Sequence, residues 1–170
     1  MCIRDSTIAE KGGIDVILAA MKQHPDSTGV QEEGCWALGQ VAYYNAARSH
    51  TIAEKGGIEA AFRAMTQHSH HEKVQQQGCY ALGKVAWNND ANRRTIAEKG
   101  GIEAAFRAMT QHSHDEDVQR WGCYMMCRMV DCASVRPAIR EGKAVMDAAR
   151  NNFPNNDSIK NYLDAVYGKI

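Results

Sequence analysis

The twenty residues from Thr51 to His70 read TIAEKGGIEAAFRAMTQHSH, and the same string returns without a change from Thr95 to His114. Its opening, Thr-Ile-Ala-Glu-Lys-Gly-Gly-Ile, also begins at Thr7, so three copies stand 44 residues apart. The rest of the period recurs as well. Val30-Gln31, Val74-Gln75 and Val118-Gln119 are followed by Gly34-Cys35-Trp36, Gly78-Cys79-Tyr80 and Gly122-Cys123-Tyr124. A period of about 20–50 residues marks a stack of supersecondary units, none of which can bury its apolar face alone. The chain 1–170 is therefore read as one repeat domain. Its units span about 7–50, 51–94 and 95–138, and a degenerate copy from about Ile139 forms a C-terminal cap, 139–170.

Each unit reads as three helices. A short first helix precedes the glycine pair; Asp90 is expected to cap it in the third unit, and Gly100-Gly101 to end it. The second carries apolar residues at helical spacing: Ile14, Ile17, Leu18 and Met21, matched by Ile58, Ala61, Phe62 and Met65. It stops in the first unit at His24-Pro25, because proline cannot continue helical hydrogen bonding. The third follows a polar cluster. Thr28-Gly29-Val30-Gln31 has the form of a capping box, and Asp115 is the candidate cap in the third unit. In the cap, Asn155-Asn156-Asp157-Ser158 offers N-cap residues to an amphipathic run with Ile159, Tyr162, Leu163, Val166 and Tyr167 on its apolar face. No segment alternates with period two over a useful length, so the fold is expected to be all-α.

Met1 to Ser6 fits the repeat hardly at all. MCIRDS matches the translation of a transposon end used in preparing sequencing libraries, and these six residues are read as non-native.

Charge narrows the function. Lys plus Arg and Asp plus Glu both number 20, which gives no general pull toward nucleic acid or anionic membrane. No apolar run reaches the roughly 20 residues needed to span a bilayer, and no secretory leader opens the chain. Three of the six cysteines share one repeat position, Cys35, Cys79 and Cys123. That pattern reads as small buried residues in a reducing, intracellular setting, cytoplasmic or nuclear, not as a disulfide framework.

Asn92 to Ile102, with the form Asn-x-x-x-Ile-x-x-x-Gly-Gly-Ile, and Val30 to Ala42, with the form Val-Gln-x-x-Gly-Cys-Trp-Ala-Leu-Gly-x-Val-Ala, together resemble the armadillo repeat of β-catenin and the importin-α proteins. The resemblance implies a right-handed α-α superhelix whose third helices line a concave groove for extended peptides, with no catalysis and no cofactor. In importin-α-like members a Trp and an Asn four residues later line that groove. The matching pairs are Trp36/Gln40, Tyr80/Lys84 and Tyr124/Arg128. The aromatic half is kept and the Asn is absent each time. Lys84 and Arg128 cannot accept a hydrogen bond and would repel basic import signals.

Positions i, i+4 and i+7 share a helix face. On the third helices they give Trp36, Gln40, Tyr43; Tyr80, Lys84, Trp87; and Tyr124, Arg128, Asp131, with Glu32, Gln76 and Arg120 one turn earlier. Rings interleaved with polar heads suit an extended peptide. The heads shift from Glu32 through Gln76 to Arg120, and from Gln40 through Lys84 to Arg128, so the partner is expected to place an acidic stretch near the C-terminal repeats. The alternative is that these rings fill gaps between neighbouring third helices. Trp121, whose counterparts are Glu33 and Gln77, is expected to pack on the C-terminal cap.

Other chemistry is weakly signalled. His68, His70, His71 and the loop His112 to Asp117 contain metal-ligating types without a zinc-finger or EF-hand pattern. Cys127 and Cys132 occur in one copy alone, and nothing pairs a nucleophile with a base. The leading function is a peptide-binding scaffold. The alternative is a structural piece of a longer solenoid attached to a separate catalytic domain such as a kinase; nucleic-acid binding ranks third. Oligomeric state is not legible.

Overall fold

The computed structural model describes residues 12–170; the reading of Met1–Ser6 falls outside them. Among the described residues there are eleven α-helices, one 3-10 turn and no strand. α1 (Gly13–Gln23) and α2 (Thr28–Ala42) are the second and third helices of the first unit. The second unit is α3 (Ala46–Glu54), α4 (Gly57–Gln67) and α5 (Glu72–Val85). The third is α6 (Asp90–Glu98), α7 (Gly101–Gln111) and α8 (Glu116–Met129). The cap holds the 3-10 turn Ala133–Val135, α9 (Arg136–Glu141), α10 (Lys143–Asn152) and α11 (Asp157–Tyr167), a fourth helical triplet. This is an α-solenoid.

The glycine pairs turn the chain between first and second helices for two separate reasons. Gly12, Gly56 and Gly100 sit at φ 80°, 85° and 79°, left-handed backbone that other residues adopt only at a cost. Their followers need close approach instead: a Cβ on Gly57 would stand 2.9 Å from the Ile52 carbonyl oxygen, and one on Gly101 2.9 Å from that of Ile96.

Caps refine the sequence reading. Asp115 caps α8, its Oδ1 accepting from Val118 N at 2.8 Å, and Asn156 caps α11 in the same way at 2.9 Å. Asn89, not Asp90, caps α6: its Oδ1 accepts from Asn92 N at 3.0 Å, while Asp90 is the first helical residue and pairs with Arg93. The expected capping box at Thr28 does not form. Ser27 is the cap, accepting from Val30 N at 3.4 Å. Gln31 turns the other way and donates to the carbonyls of Met21 and His24 at 2.8 and 2.9 Å, tying the end of α1 to α2. Gln75 and Gln119 repeat this clasp on α4 and α7.

The core runs unbroken along the stack because third helices pack against third helices, α2 on α5, α5 on α8 and α8 on α11. Leu38, Leu82 and Met126 are all but fully buried in it. Cys35, Cys79 and Cys123 are also fully buried and unbridged, as expected from their shared repeat position. Burial pushes each of these thiols up to about 12.

Candidate functional site

The face of the third helices is not uniformly open. Trp36 and Tyr43 are 47% and 49% exposed, whereas Tyr80 and Tyr124 keep only 6% each. The difference lies in the preceding helix. Tyr80 lies over Gly39 of α2, where a Cβ would come within 2.6 Å of its Cδ1, and Tyr124 lies over Gly83 of α5, where a Cβ would come within 2.7 Å of its Cε1. Two rings of the expected open ladder are therefore seated between neighbouring helices. The gap-filling alternative describes these two, and the exposed-ring reading fits Trp36 and Tyr43.

Around Lys84 the face gathers side chains of all three units, Gln40 and Tyr43 from the first, Tyr80 from the second, Tyr124 and Arg128 from the third. Gln40 donates from Nε2 to the Tyr80 hydroxyl at 2.7 Å. Lys84 is 8% exposed, and its Nζ stands 4.3 Å from the Tyr43 ring centre, 4.8 Å from Tyr124, 5.3 Å from Tyr80 and 5.5 Å from Tyr44. The Arg128 guanidinium stacks on Tyr124 at 5.0 Å. Trp87, half-buried, meets Tyr44 edge-on at 5.2 Å. Arg120 stacks on Trp121 at 4.6 Å and pairs with Asp117 at 2.6 Å, while Gln76 accepts from Lys73 at 3.0 Å. Glu32 is half-buried on α2. Trp121 packs edge-on against Tyr80 at 4.7 Å and Tyr124 at 5.4 Å, so it bridges units two and three; the expected packing on the cap is instead supplied by Tyr162, 5.4 Å from Tyr124.

Tyr44 belongs to this cluster and has no place in the i, i+4, i+7 reading, because it lies beyond the end of α2 with left-handed backbone, φ 47°. Asn88, its counterpart one period on, has φ 50°. Asn enters this region readily, and its presence at 88 was the available signal that position 44 turns as well. A tyrosine there carries local strain of order 1–2 kcal/mol.

Electrostatics set the cluster apart. Burial, and then the Arg128 charge, lower Lys84 to about 8. Burial raises Tyr80 to about 12, seconded by Tyr43 and opposed by the Gln40 hydrogen bond. Tyr124 is raised by burial against the pull of Arg128. The phenols are neutral near pH 7 and Lys84 is charged.

Two of the histidines join consecutive loops. His68 Nε2 lies 2.7 Å from the Pro25 carbonyl and His112 Nε2 lies 2.8 Å from that of Ser69, so each is a strut between consecutive loops. Among the described residues no three His, Cys, Asp or Glu side chains are placed to share a metal ion. No described helix is long and apolar enough to cross a membrane.

Stacked helical triplets with a 44-residue period have close counterparts among known proteins. The family described as the LRRK2 ARM repeat matches residues 6–136. The chain belongs to this armadillo-repeat family. Its armadillo fold is shared with two crystal structures of engineered proteins. One has TM-score 0.78 and 16% identity over 92% of this chain and 62% of that one; the other has TM-score 0.80 and 20% identity over 97% and 39%. Protein aardvark of Dictyostelium discoideum is 57% identical over 37 residues, 22% of this armadillo chain and 5% of that protein. The chain thus spans a small fraction of that curated relative and part of each engineered one.

Proposed function

We propose that this armadillo chain is a protein-interaction scaffold that takes an extended polypeptide along its third helices, with an acidic stretch of the partner over units two and three. One observation carries the reading. Lys84 and Arg128 lie side by side on this face, both stacked on Tyr124, and neither has a carboxylate partner among the described residues. Trp36, Tyr43 and Tyr44, 47%, 49% and 64% exposed, supply apolar contact at the N-terminal end of the same face. The partner would then lay apolar residues on α2 and acidic ones on α5 and α8. A peptide-display selection on the purified chain tests this. Selected peptides should be rich in Asp and Glu, and the double charge reversal Lys84→Glu, Arg128→Glu should abolish their binding. Peptides that survive both reversals sink the groove reading.

A second reading is favoured by a different observation. Among the described residues all four exposed large hydrophobics, Val16, Trp36, Tyr43 and Tyr44, lie in the first unit. Val16 and Trp36 line a hollow of about 570 Å³ with Ile17, Ala20, Val30 and Ala37. Positions one period later that match this lining, Ala61, Val74 and Ala81, are buried. The end face therefore fits a further repeat of the same kind, in which case these units also extend a longer rod. Sequencing the intact gene tests this: a unit encoded before Thr7 supports it, and a native start codon at Met1 removes it.

A further inference from the structure

Lys84 is the exception among the buried polar side chains. Of the described residues in that class, Gln31, Gln75 and Gln119 clasp helix ends, Ser49 and Asn92 bind backbone carbonyls, and Arg93 meets Asp90, Asp131 and the Arg128 carbonyl. Lys84, 8% exposed, has no hydrogen-bond or ion-pair partner among the described residues, only ring faces. Ring faces attract an ammonium by about 0.5–2 kcal/mol, yet they do not meet its directional need for acceptors. Its neighbour Arg128 repeats the pattern, with a buried Nε that also lacks a partner. The carboxylates nearby are engaged elsewhere: Asp131 with Arg93 and Lys169, Asp117 with Arg120. The Tyr80 hydroxyl already accepts from Gln40, so its own proton is free to donate.

We propose that Lys84, Arg128 and the Tyr80 hydroxyl form a receptor for an oxyanion on a peptide side chain, carboxylate or phosphoryl, with Tyr43, Tyr44 and Tyr124 holding the ammonium in place. This rests on the groove reading and names its anchor. Lys84 and Arg128 meet on the Tyr124 ring with no acceptor among the described residues, and the Tyr80 ring flanks the same ammonium; an arriving oxyanion converts these donors to charge-assisted hydrogen bonds, roughly twice as strong as neutral ones. The tyrosine walls keep the ammonium poorly hydrated and fixed, so little has to be reorganised when the anion arrives. The left-handed Tyr44 closes the cage from the end of α2, which gives the strain there a role in positioning.

The site has a built-in signature. The titratable and charged groups facing Lys84 are Tyr43 and Tyr44 from the end of α2, Tyr80 on its own helix, and Tyr124 and Arg128 from α8. With Tyr80 and Tyr124 raised and Arg128 permanently charged, Lys84 loses its charge first, near pH 8.

The experiment is fluorescence anisotropy with labelled hexaglutamate, hexaglutamine and a hexapeptide of alternating glycine and phosphoserine. The expected result is binding of an anionic probe, hexaglutamine staying unbound. Affinity should fall about tenfold from pH 7 to pH 9 as Lys84 deprotonates. Lys84→Met and Arg128→Met should each lose at least tenfold at pH 7. Lys84→Arg should retain binding and flatten the pH profile, which separates charge from a folding defect. Arg63→Met, an exposed cation on α4, should change nothing. Relative affinity for the glutamate and phosphoserine probes assigns the oxyanion. No binding of either anionic probe, or binding indifferent to Lys84→Met and to pH, overturns the receptor. In that event the display selection still judges the groove separately, through the loss of selected peptides on the double reversal Lys84→Glu, Arg128→Glu.

Discussion

Replacing Gln75 by Met keeps the length and burial of the side chain and deletes its amide. Gln75 is 2% exposed, and its Nε2 reaches the carbonyls of Met65 at 2.8 Å and His68 at 2.9 Å. These two losses are unequal. The His68 oxygen still accepts from His71 N at 2.9 Å, whereas the Met65 oxygen, in the last turn of α4, accepts from no backbone N–H. The substitution therefore strands one buried carbonyl, at about 1–3 kcal/mol, and weakens a second that remains paired. The added apolar burial of Met offsets part of this, so a net loss of about 2 kcal/mol is expected. For a chain of 170 residues that is a fall in Tm of about 4–8 °C. Urea unfolding followed by circular dichroism measures it, with Gln23→Met on the exposed end of α1 as the control, expected within about 0.5 kcal/mol. A Gln75→Met midpoint indistinguishable from that control would refute the clasp as the element joining second and third helices.

Gly39→Ala should destabilise by about 1–3 kcal/mol, because the new methyl enters the space of the Tyr80 ring; a Tm unchanged from wild type would mean that the ring moves aside freely. Lys84 makes the fold more stable in mild alkali. Its native pKa lies near 8 and its ordinary value is 10.5, so between these the unfolded chain binds more protons and stability rises with pH. Cys35, Cys79 and Cys123, raised from 9.0 to about 12, act in the opposite direction from about pH 8 upward, and the raised Tyr80 joins them above pH 10. The thiols are common to both proteins, so the difference in urea midpoint between wild type and Lys84→Met should shift in favour of wild type from pH 8 to pH 10. Cys35, Cys79 and Cys123, buried and with thiols near 12, should resist Ellman's reagent at pH 8 in the folded protein and react in denaturant; fast reaction without denaturant would contradict their burial.

What the sequence disclosed was whatever is written locally and three times. The helices, the glycine corners and the buried cysteines all follow from spacing within one unit. What escaped depends on a neighbour about forty residues away. The heptad-like face of a third helix places Tyr80 and Trp36 identically; Tyr80 is seated because α2 lies before it with Gly39 under the ring, and among the described residues no third helix lies before Trp36. Gln31 looked like the far end of a capping box because that motif is defined along the chain. Its actual partners lie back across the turn, at Met21 and His24. Tyr44 was missed because it leaves the helix before it turns toward Lys84.

The ring-over-glycine contact also makes the units non-interchangeable. Nine residues after its N-cap, each third helix carries Trp36, Tyr80, Tyr124 and finally Ala165; twelve after it stand Gly39, Gly83 and then Cys127. A large side chain follows a bare backbone twice, and where the backbone is first furnished with a thiol the next occupant shrinks to a methyl. Shuffling such modules, in evolution or at the bench, would have to respect that matching of sizes: two units nearly identical in sequence could still be forbidden neighbours.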